Sequence, residues 1–99
     1  MEVLVATVIL KDNKVLMVKE TKEEAKGLLN FPAGHLEKDE NLIEGALREI
    51  KEETGFDARI TSLIDTKYFS RKDKSYLAFV FQGELIHYKA FNNELNFDF

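Results

Sequence analysis

The chain has 99 residues, enough for a single small domain spanning 1–99, and 44% of them are apolar, which excludes a globally disordered protein. Its net charge of -4 argues against a surface that coats nucleic acid, and the absence of cysteine excludes disulfides and thiolate zinc sites. The longest apolar run, 3–10, is too short to span a bilayer, and Glu2 stands where a signal peptide needs basic residues. These features predict a cytoplasmic protein that binds neither membranes nor nucleic acid.

The N-terminal third predicts two strands and a loop. The run Val3–Leu10 is β-branched and almost wholly apolar, which favours a strand buried on both faces. A turn at 11–14 then leads to Val15–Val18, which we expect to form a hairpin with the first strand. The charged stretch 20–29 is typical of a mobile loop, and Pro32 disfavours helix in the short extended piece that follows it.

The stretch Asn41–Thr54 predicts a helix. Asn41 is followed three residues later by Glu44, which matches a capping box, although Asp39 is a rival N-cap. Gly55 is expected to end the helix, because glycine adopts the left-handed conformation of a C-cap at little cost. Four apolar residues at helical spacing form the stripe that would face the core: Ile43, Ala46, Leu47 and Ile50.

After the helix, the pattern predicts two strands joined by a polar turn. The stretch Ala58–Ser70 alternates imperfectly, which indicates a bent or bulged strand, and 71–75 is typical of a turn. Tyr76–Ile86 follows as a strong strand pattern, with three apolar residues on one face: Leu77, Phe79 and Phe81. The aromatic tail 87–99 either packs over the core as the chain terminus or exposes a patch that pairs with another copy of the chain.

Three carboxylates of the predicted helix fall in one sector of its surface. At roughly 100° per residue, Glu49, Glu52 and Glu53 lie together. Gly45, one turn earlier in the same sector, would leave room beside them for a ligand. Clustered carboxylates repel one another, and a hard cation such as Mg²⁺ or Mn²⁺ removes that repulsion. The pattern is compatible with a divalent-metal site for a phosphate substrate, but taken without its flanking residues it favours a solvated helix face with weak ion pairs.

Neighbouring residues add further candidates. Arg48 lies outside the carboxylate sector and could pair with a neighbouring acid and orient it. Gly34, which precedes the helix, would let the backbone approach the site closely. We expect His35 to face solvent or to act as a cap rather than take part in catalysis. Tyr68 and Phe69 either pack within a hairpin or stack against a nucleobase.

The spacing of these residues resembles the Nudix box. Gly34 is followed after five residues by Glu40, and seven further residues lead to Arg48-Glu-Ile-Lys-Glu-Glu-Thr-Gly-Phe56. The box of the Nudix hydrolases reads Gly-x5-Glu-x7-Arg-Glu-U-x-Glu-Glu-x-Gly-U, where U is a bulky aliphatic residue. The chain matches every charged and glycine position, and only Phe56 differs, by being aromatic. The resemblance also covers the strands before the box and, more loosely, those after it up to about Ile86.

The resemblance implies an α+β fold, an α/β/α sandwich in which a mixed sheet lies between helices. It also implies an enzyme that uses Mg²⁺, or Mn²⁺, to hydrolyse a diphosphate bond. The segment Phe31–Glu37 is similar to small MutT-like Nudix enzymes that cleave nucleoside di- and triphosphates and, in some cases, thiamine-pathway pyrophosphates. The expected reaction is cleavage of a nucleoside di- or triphosphate or of a related nucleoside-diphosphate-linked compound. We therefore expect a small nucleotide-like substrate. The alternatives are a module that binds such a ligand without cleaving it and a truncated enzyme with weak activity.

By position in the box, the resemblance implies a metal site and a general base. Glu49, Glu52 and Glu53 would bind the metal, together with the carbonyl of Ala33, which directly precedes the box glycine. Either Glu49 or Glu53 would act as the general base, and the box alone does not choose between them.

The resemblance also implies supporting roles for four further residues. Glu40 would support the metal site from outside, and Arg48 would hold the catalytic glutamates in place. Gly34 and Gly55 would be structural positions of the box. Family members often end the second strand with a basic pair that meets the substrate phosphates. The corresponding pair here is Lys19-Glu20, so only Lys19 of this pair could do so.

The chain is expected to depart from the family at its C-terminus. Family members continue there into further sheet and a C-terminal helix, which covers the sheet face opposite the box helix. This chain is expected to lack that helix. We expect the tail 87–99, or a second copy of the chain in a homodimer, to cover the apolar side chains of that face.

Overall fold

The computed structural model of the chain describes residues 1–19, 29–86 and 97–98. The predictions for the loop 20–29 and for most of the tail 87–99 therefore lie outside the described residues. Within these ranges the secondary-structure elements are β1 Glu2–Lys11, β2 Lys14–Leu16, β3 Val18–Lys19, β4 Leu29–Asn30, β5 Ala33–His35, α1 Leu42–Thr54, β6 Asp57–Arg71, β7 Lys74–Ile86 and β8 Phe97–Asp98. No helix in the same ranges is both long and apolar enough to cross a bilayer.

Strand β1 lies in the middle of a mixed sheet. The strands of this sheet follow the order β6-β7-β1-β2-β8, and β5 joins it by pairing with β1. β1 runs parallel to β7 and antiparallel to both β2 and β5. β3 and β4 form a separate two-stranded ribbon. The mixed sheet together with helix α1 confirms the predicted α+β fold class.

The two predicted turns are two-residue hairpin connections. Asp12 and Asn13 join β1 to β2, and Lys72 and Asp73 join β6 to β7. All four residues have positive φ, between 52° and 65°. This backbone conformation matches the twist of two-stranded hairpins, and asparagine and aspartate adopt it more readily than other non-glycine residues.

The predicted second strand, Val15–Val18, is divided in two. β2 ends at Leu16, and within β1 it pairs only with Leu10 and Lys11, the last two residues of that strand. Val18 belongs to β3 and pairs with β4, so the chain leaves the main sheet between these two residues. The other edge of β2 is occupied by β8, the described part of the tail, which pairs antiparallel with Val15 and Leu16.

Strand β6 is bulged, as its imperfect alternation predicts. Its pairing with β7 shifts register between Ile60 and Ser62 and again between Leu63 and Asp65. Each shift places an extra residue in β6, which explains why its apolar residues do not keep a period of two.

Helix α1 packs on one face of the sheet and forms two contiguous core clusters with it. In the first, Ile50 contacts Ile9, Leu16 and Phe56. In the second, Ala46 lies among Val5 and Phe81. The prediction that the first strand is buried on both faces is wrong for the second face. Val5, Thr7 and Ile9 point towards α1 and are fully buried, whereas the alternate residues are half-buried or exposed.

The predicted apolar stripe of the helix is correct for Ala46, Leu47 and Ile50 and wrong for Ile43. Ile43 is exposed, and Leu42 packs against the core in its place. The reason is geometric: residues four apart lie one above another on a helix, so Leu42, Ala46 and Ile50 align on the buried side. Ile43 lies about 100° away from Leu42 around the axis and faces solvent.

Candidate active site

The two ends of helix α1 fix the position of its carboxylates. At the N-terminus, the Asn41 side chain accepts a hydrogen bond from Glu44 N (2.8 Å), and the Glu44 side chain accepts one from Asn41 N (2.9 Å), which completes the capping box. At the C-terminus, Gly55 adopts φ +79° and its N–H donates to Lys51 O. The rival cap Asp39 lies in the preceding turn with positive φ.

Arg48 is the centre of the charge network on this helix. Its guanidinium donates two hydrogen bonds to Glu40, from Nε to Oε2 (2.6 Å) and from Nη2 to Oε1 (3.0 Å). Its Nη1 donates to Oε1 of Glu49 (2.6 Å) and to Oε1 of Glu52 (3.2 Å). One planar cation therefore holds three of the box carboxylates, and its fork geometry suits this task better than a lysine ammonium would.

The pKa shifts of Glu40 and Arg48 favour the charged forms of both groups. The Arg48 guanidinium, by hydrogen bonding to Glu40, holds the pKa of that carboxyl below its usual value, and the backbone N–H of Glu37 adds to the effect. In return, the hydrogen bond to Glu40 raises the pKa of Arg48, although partial burial opposes the rise. Both groups stay ionised at neutral pH, so the bidentate pair remains intact there.

Gly34 makes room for the carboxylate of Glu49. A Cβ atom at Gly34 would lie 2.2 Å from Oε2 and 2.6 Å from Oε1 of Glu49, so the carboxylate could not keep this position beside any other residue. The Glu49 side chain is 13% exposed, so it is pressed between β5 and the guanidinium of Arg48. Gly34 is predicted to let the backbone approach the site closely, and in the structure it allows β5 to lie against Glu49, one of the two candidates for the general base.

Glu53 contacts the neighbouring residue of β5. The backbone N–H of Ala33 donates to Oε1 of Glu53 (2.9 Å). Thr7 N donates to Pro32 O and Leu36 N donates to Val3 O, so these pairs form the hydrogen-bonded rungs between β5 and β1. In an antiparallel pair only every second residue forms hydrogen bonds with the neighbouring strand, and Ala33 is one of the residues that does not bond to β1. Its N–H and its carbonyl therefore both point away from β1, and the carbonyl faces the same open side as the N–H that contacts Glu53.

The same open edge of β5 also meets Arg48. Its Nη2 donates to the carbonyl of His35 (3.0 Å), two residues beyond Ala33. Side chains of α1 thus form hydrogen bonds with the Ala33 N–H and the His35 carbonyl, which are backbone groups that a neighbouring strand could otherwise bind. The imidazole of His35 instead contacts Glu2, with Nε2 2.7 Å from Oε1. Within the described residues, the ring makes no contact with the carboxylates around Arg48.

Gly45 does not leave room for a ligand, contrary to the prediction. The residue is buried, and a Cβ atom there would lie 2.7 Å from Cδ1 of Leu36 and 3.0 Å from Oε1 of Glu40. The absent side chain instead lets the segment before the helix pack closely on it. This packing brings Glu40 to Arg48, so Gly45 serves the site indirectly.

The described site has one contributor that the sequence analysis missed. The N–H of Glu37 donates to Oε1 of Glu40 (3.0 Å), and its carboxylate lies 3.5 Å from Nη1 of Arg48. The signal in the sequence that could have identified Glu37 is its spacing of three residues from Glu40, which is typical of a turn. The structure has this turn, with Asp39 at positive φ.

The structure brings some predicted residues together and leaves others apart. Glu40, Glu49 and Glu52 meet at Arg48, and Glu53 is joined to Ala33. In this arrangement, no three acidic or histidine side chains of the described ranges converge closely enough to enclose a metal ion. Lys19 lies exposed on β3, and no hydrogen bond or ion pair within the described part of the chain joins it to these carboxylates.

The two aromatic candidates of β6 differ in their surroundings. Phe69 stacks on Tyr76 across the hairpin, with ring centroids 5.1 Å apart and an interplanar angle of 18°. This is the hairpin packing given above as one alternative. Tyr68 points to the other face of the strand and is exposed.

Comparison with known proteins decides the family. The family model for the NUDIX domain matches residues 1–96, which include the whole box. The chain belongs to the Nudix family. The match agrees with the resemblance found in Gly34–Phe56 and extends it beyond Ile86.

Individual relatives and solved structures of this family are similar over most of the chain. The phosphatase NudJ of Escherichia coli strain K12 is 45% identical over 84 residues, which are 84% of this chain and 54% of the relative. The chain therefore spans about half the length of this curated relative. A Nudix hydrolase structure from Nitrosomonas europaea is 35% identical with a TM-score of 0.82, covering 90% of this chain and 62% of the other. A UDP-X diphosphatase structure is 28% identical with a TM-score of 0.75, covering 98% and 48%.

Proposed function

We propose that this Nudix protein is a Mg²⁺-dependent pyrophosphohydrolase, for which Mn²⁺ can substitute. Its substrate would be a nucleoside di- or triphosphate or a related nucleoside-diphosphate-linked compound. The observation that carries the proposal is the bonding of Arg48 to Glu40, Glu49 and Glu52, with Glu53 beside them on β5. The names of the similar proteins, a phosphatase, a Nudix hydrolase and a diphosphatase, support it.

The donors available at this site fit a hard divalent cation. Glu49, Glu52 and Glu53 offer carboxylate oxygens, and the Ala33 carbonyl faces the same open edge of β5, so all four donors are the oxygen ligands that Mg²⁺ prefers. The cradle at Gly34 fits as well, because it admits a carboxylate against the backbone where a side chain would collide. When bound, the cation would neutralise charge on the substrate phosphates and make a water molecule more acidic.

The protein's own groups would orient the reactants and accept the proton. Water attacks a phosphorus atom of the diphosphate, and a carboxylate oxygen of Glu49 or Glu53 takes the proton that this water loses. The bond between that phosphorus and the bridging oxygen breaks, and the other phosphate group leaves with the bridging oxygen. Arg48 keeps Glu49 in place through the bond from Nη1, and the bidentate pair with Glu40 fixes Arg48 in turn. Lys19 would contact the substrate phosphates, with its ammonium as a point charge.

A direct assay tests the reaction. The protein is incubated with Mg²⁺ and a panel of nucleoside triphosphates, nucleotide sugars, ADP-ribose and thiamine diphosphate. The products are separated by anion-exchange chromatography, because nucleotide sugars and ADP-ribose would release a nucleoside monophosphate and a sugar phosphate, whereas nucleoside triphosphates would release phosphate or pyrophosphate. We expect turnover of at least one nucleoside-diphosphate-linked compound, and loss of that turnover when the metal is chelated. Binding without turnover across the panel would contradict the proposal and favour the non-catalytic module.

Two glutamine variants then identify the base. Glu49→Gln and Glu53→Gln should each lower kcat, because each removes a carboxylate of the site. The loss for the true base should be on the order of 100-fold or more. That variant should also lose the acidic limb of the pH–rate profile, which measures ionisation of the base. Asp73→Asn, in the exposed hairpin turn, is the control and should retain full activity. Near-wild-type rates in both glutamine variants would refute the assigned site.

A further inference from the structure

Thr7 carries a buried hydroxyl that no described residue satisfies. Its side chain is fully buried, and Oγ1 has no hydrogen-bond partner within the described ranges. The residue lies on β1 between Val5 and Ile9, so it faces helix α1. A buried hydroxyl without a partner lowers the stability of a fold, and valine has the same shape without that cost. Packing alone therefore gives no reason for a hydroxyl at this position.

The Thr7 hydroxyl lies diagonally across the β1–β5 pair from the carboxylate of Glu49. Val5 pairs with Gly34, and Thr7 is the next residue of β1 on the face covered by α1. Diagonal neighbours on one face of an antiparallel pair are about 7–8 Å apart, which is within reach of long side chains. Oε2 of Glu49 lies 2.2 Å from the Cβ position of Gly34 and so occupies the space of its missing side chain. The hydroxyl and this carboxylate therefore extend into the same space beneath the helix.

The methyl group of Thr7 leaves its hydroxyl directed away from β7. A Cβ atom at Gly83 of β7 would lie 3.1 Å from Cγ2 of Thr7, so the methyl group packs on that strand. Because the substituents of Cβ diverge in staggered positions, Oγ1 points away from this contact. On the other side of β1 lies β5, whose Pro32 carbonyl accepts a hydrogen bond from the Thr7 N–H (3.0 Å). The space open to the hydroxyl is therefore bounded by α1 and β5, between which the Glu49 carboxylate lies.

The described donors hold one oxygen of the Glu49 carboxylate. Oε1 accepts a hydrogen bond from Nη1 of Arg48 (2.6 Å), whereas no donor among the described residues bonds to Oε2. A single bond lets the carboxylate rotate, and a reaction loses rate steeply when a catalytic group is misplaced by about 1 Å. A second donor on the β1 side would fix this rotation.

We propose that Thr7 is a positioning residue, whose hydroxyl donates a hydrogen bond to Oε2 of Glu49 in the working enzyme. Arg48 and Thr7 then hold the two oxygens of one carboxylate, Arg48 from the helix and Thr7 from β1. This role rests on the proposed function, in which Glu49 is a metal ligand and a candidate for the general base. A hydroxyl that lowers the stability of the resting protein thereby contributes to its activity.

Two substitutions at Thr7 separate the effect of its hydroxyl from that of its methyl group. Thr7→Val removes the hydroxyl and keeps the shape, so it should raise the Tm of the metal-free protein by about 4 °C or more and lower kcat about tenfold. Thr7→Ser keeps the hydroxyl and loses the methyl contact with Gly83, so it should lower the Tm and recover most of the lost rate. If Thr7 were only structural, activity would instead follow stability in the two variants.

Metal binding gives a readout that needs no substrate. In thermal melts with increasing Mg²⁺, the concentration that produces half of the rise in Tm should be about tenfold higher for T7V than for the wild type. T7V/E49Q should match E49Q, because the hydroxyl acts through Glu49. Thr66→Val, which removes an exposed hydroxyl of β6, is the control and should match the wild type in every measurement.

Four results would each overturn this role for Thr7. They are a T7V variant that is less stable than the wild type without metal, a T7V variant with wild-type kcat and metal affinity, a T7S variant as slow as T7V, and a T7V/E49Q variant that binds metal more weakly than E49Q. A wild type without turnover would refute the proposed function instead, and the Mg²⁺ melts would still decide whether Thr7 acts on Glu49.

Discussion

At Gly34, a methyl group would take the place of the Glu49 carboxylate. The nearest atoms to a Cβ there are the carboxylate atoms of Glu49, between 2.2 and 2.6 Å away. Gly34→Ala should therefore displace Glu49 from β5 and Arg48 while leaving the core intact. We expect a loss of kcat on the order of 100-fold, the size of effect that a misplacement of about 1 Å produces. Steady-state kinetics and a thermal melt of the same sample would measure both quantities.

Gly55, at the other end of the box helix, is the matched control. It has φ +79°, but a Cβ atom there would meet nothing within 4 Å. Gly55→Ala should therefore cost stability alone, about 1 kcal/mol in the free energy of unfolding, because an L side chain disfavours the left-handed conformation. Turnover should be unchanged. A pattern in which Gly55→Ala loses activity and Gly34→Ala keeps it would contradict the roles given to the two glycines.

At the scale of the helix, the capping box gives a prediction for stability. Asn41→Ala removes the acceptor of the Glu44 N–H and should lower the free energy of unfolding by about 1 kcal/mol. The rival cap Asp39 makes no such bond in the capping box, and Asp39→Gly removes its carboxylate while keeping a residue that tolerates its positive φ. Urea denaturation should therefore show a lower midpoint for N41A and a midpoint close to wild type for D39G. Equal losses in the two variants would mean that Asp39 caps the helix in solution.

Helix α1 is predictable from the sequence because its determinants are local. The caps Asn41 and Gly55 and the carboxylates Glu49, Glu52 and Glu53 all follow from spacing within one segment. The failures come from tertiary contacts. Ile43 and Leu42 are equally apolar in the sequence, and only packing against β1 and β7 selects Leu42 for the core.

The same distinction holds for the candidate site. That Arg48 pairs with an acid is readable from the sequence, but its bidentate partner, Glu40, reaches it only because Gly45 lets the preceding segment pack closely on the helix. Gly45 looks like a gap for a ligand when the helix is considered alone. The parallel pairing of β1 with β7 likewise joins distant segments and has no local signal.

At the scale of the whole molecule, a protein of net charge -4 concentrates four carboxylates around one arginine. The three proposed ligands repel one another, and Arg48 contacts two of them, Glu49 and Glu52. A cation that binds the folded chain and not the unfolded chain must stabilise it. Mg²⁺ at about 100 times its dissociation constant should add about 2.7 kcal/mol to the free energy of unfolding.

Thermal melts with increasing Mg²⁺ or Mn²⁺ measure this stabilisation without any substrate. The wild type and D73N should show the same rise in Tm, whereas E49Q/E52Q/E53Q should show none, because it lacks the carboxylate ligands. Comparing each protein with its own metal-free melt removes the effect that the substitutions have on the Arg48 network. An equal rise in the triple variant would place the cation elsewhere on the acidic surface. If the metal-dependent rise in Tm is absent in the triple variant, the cation binds at the helix face to which we assign the hydrolysis.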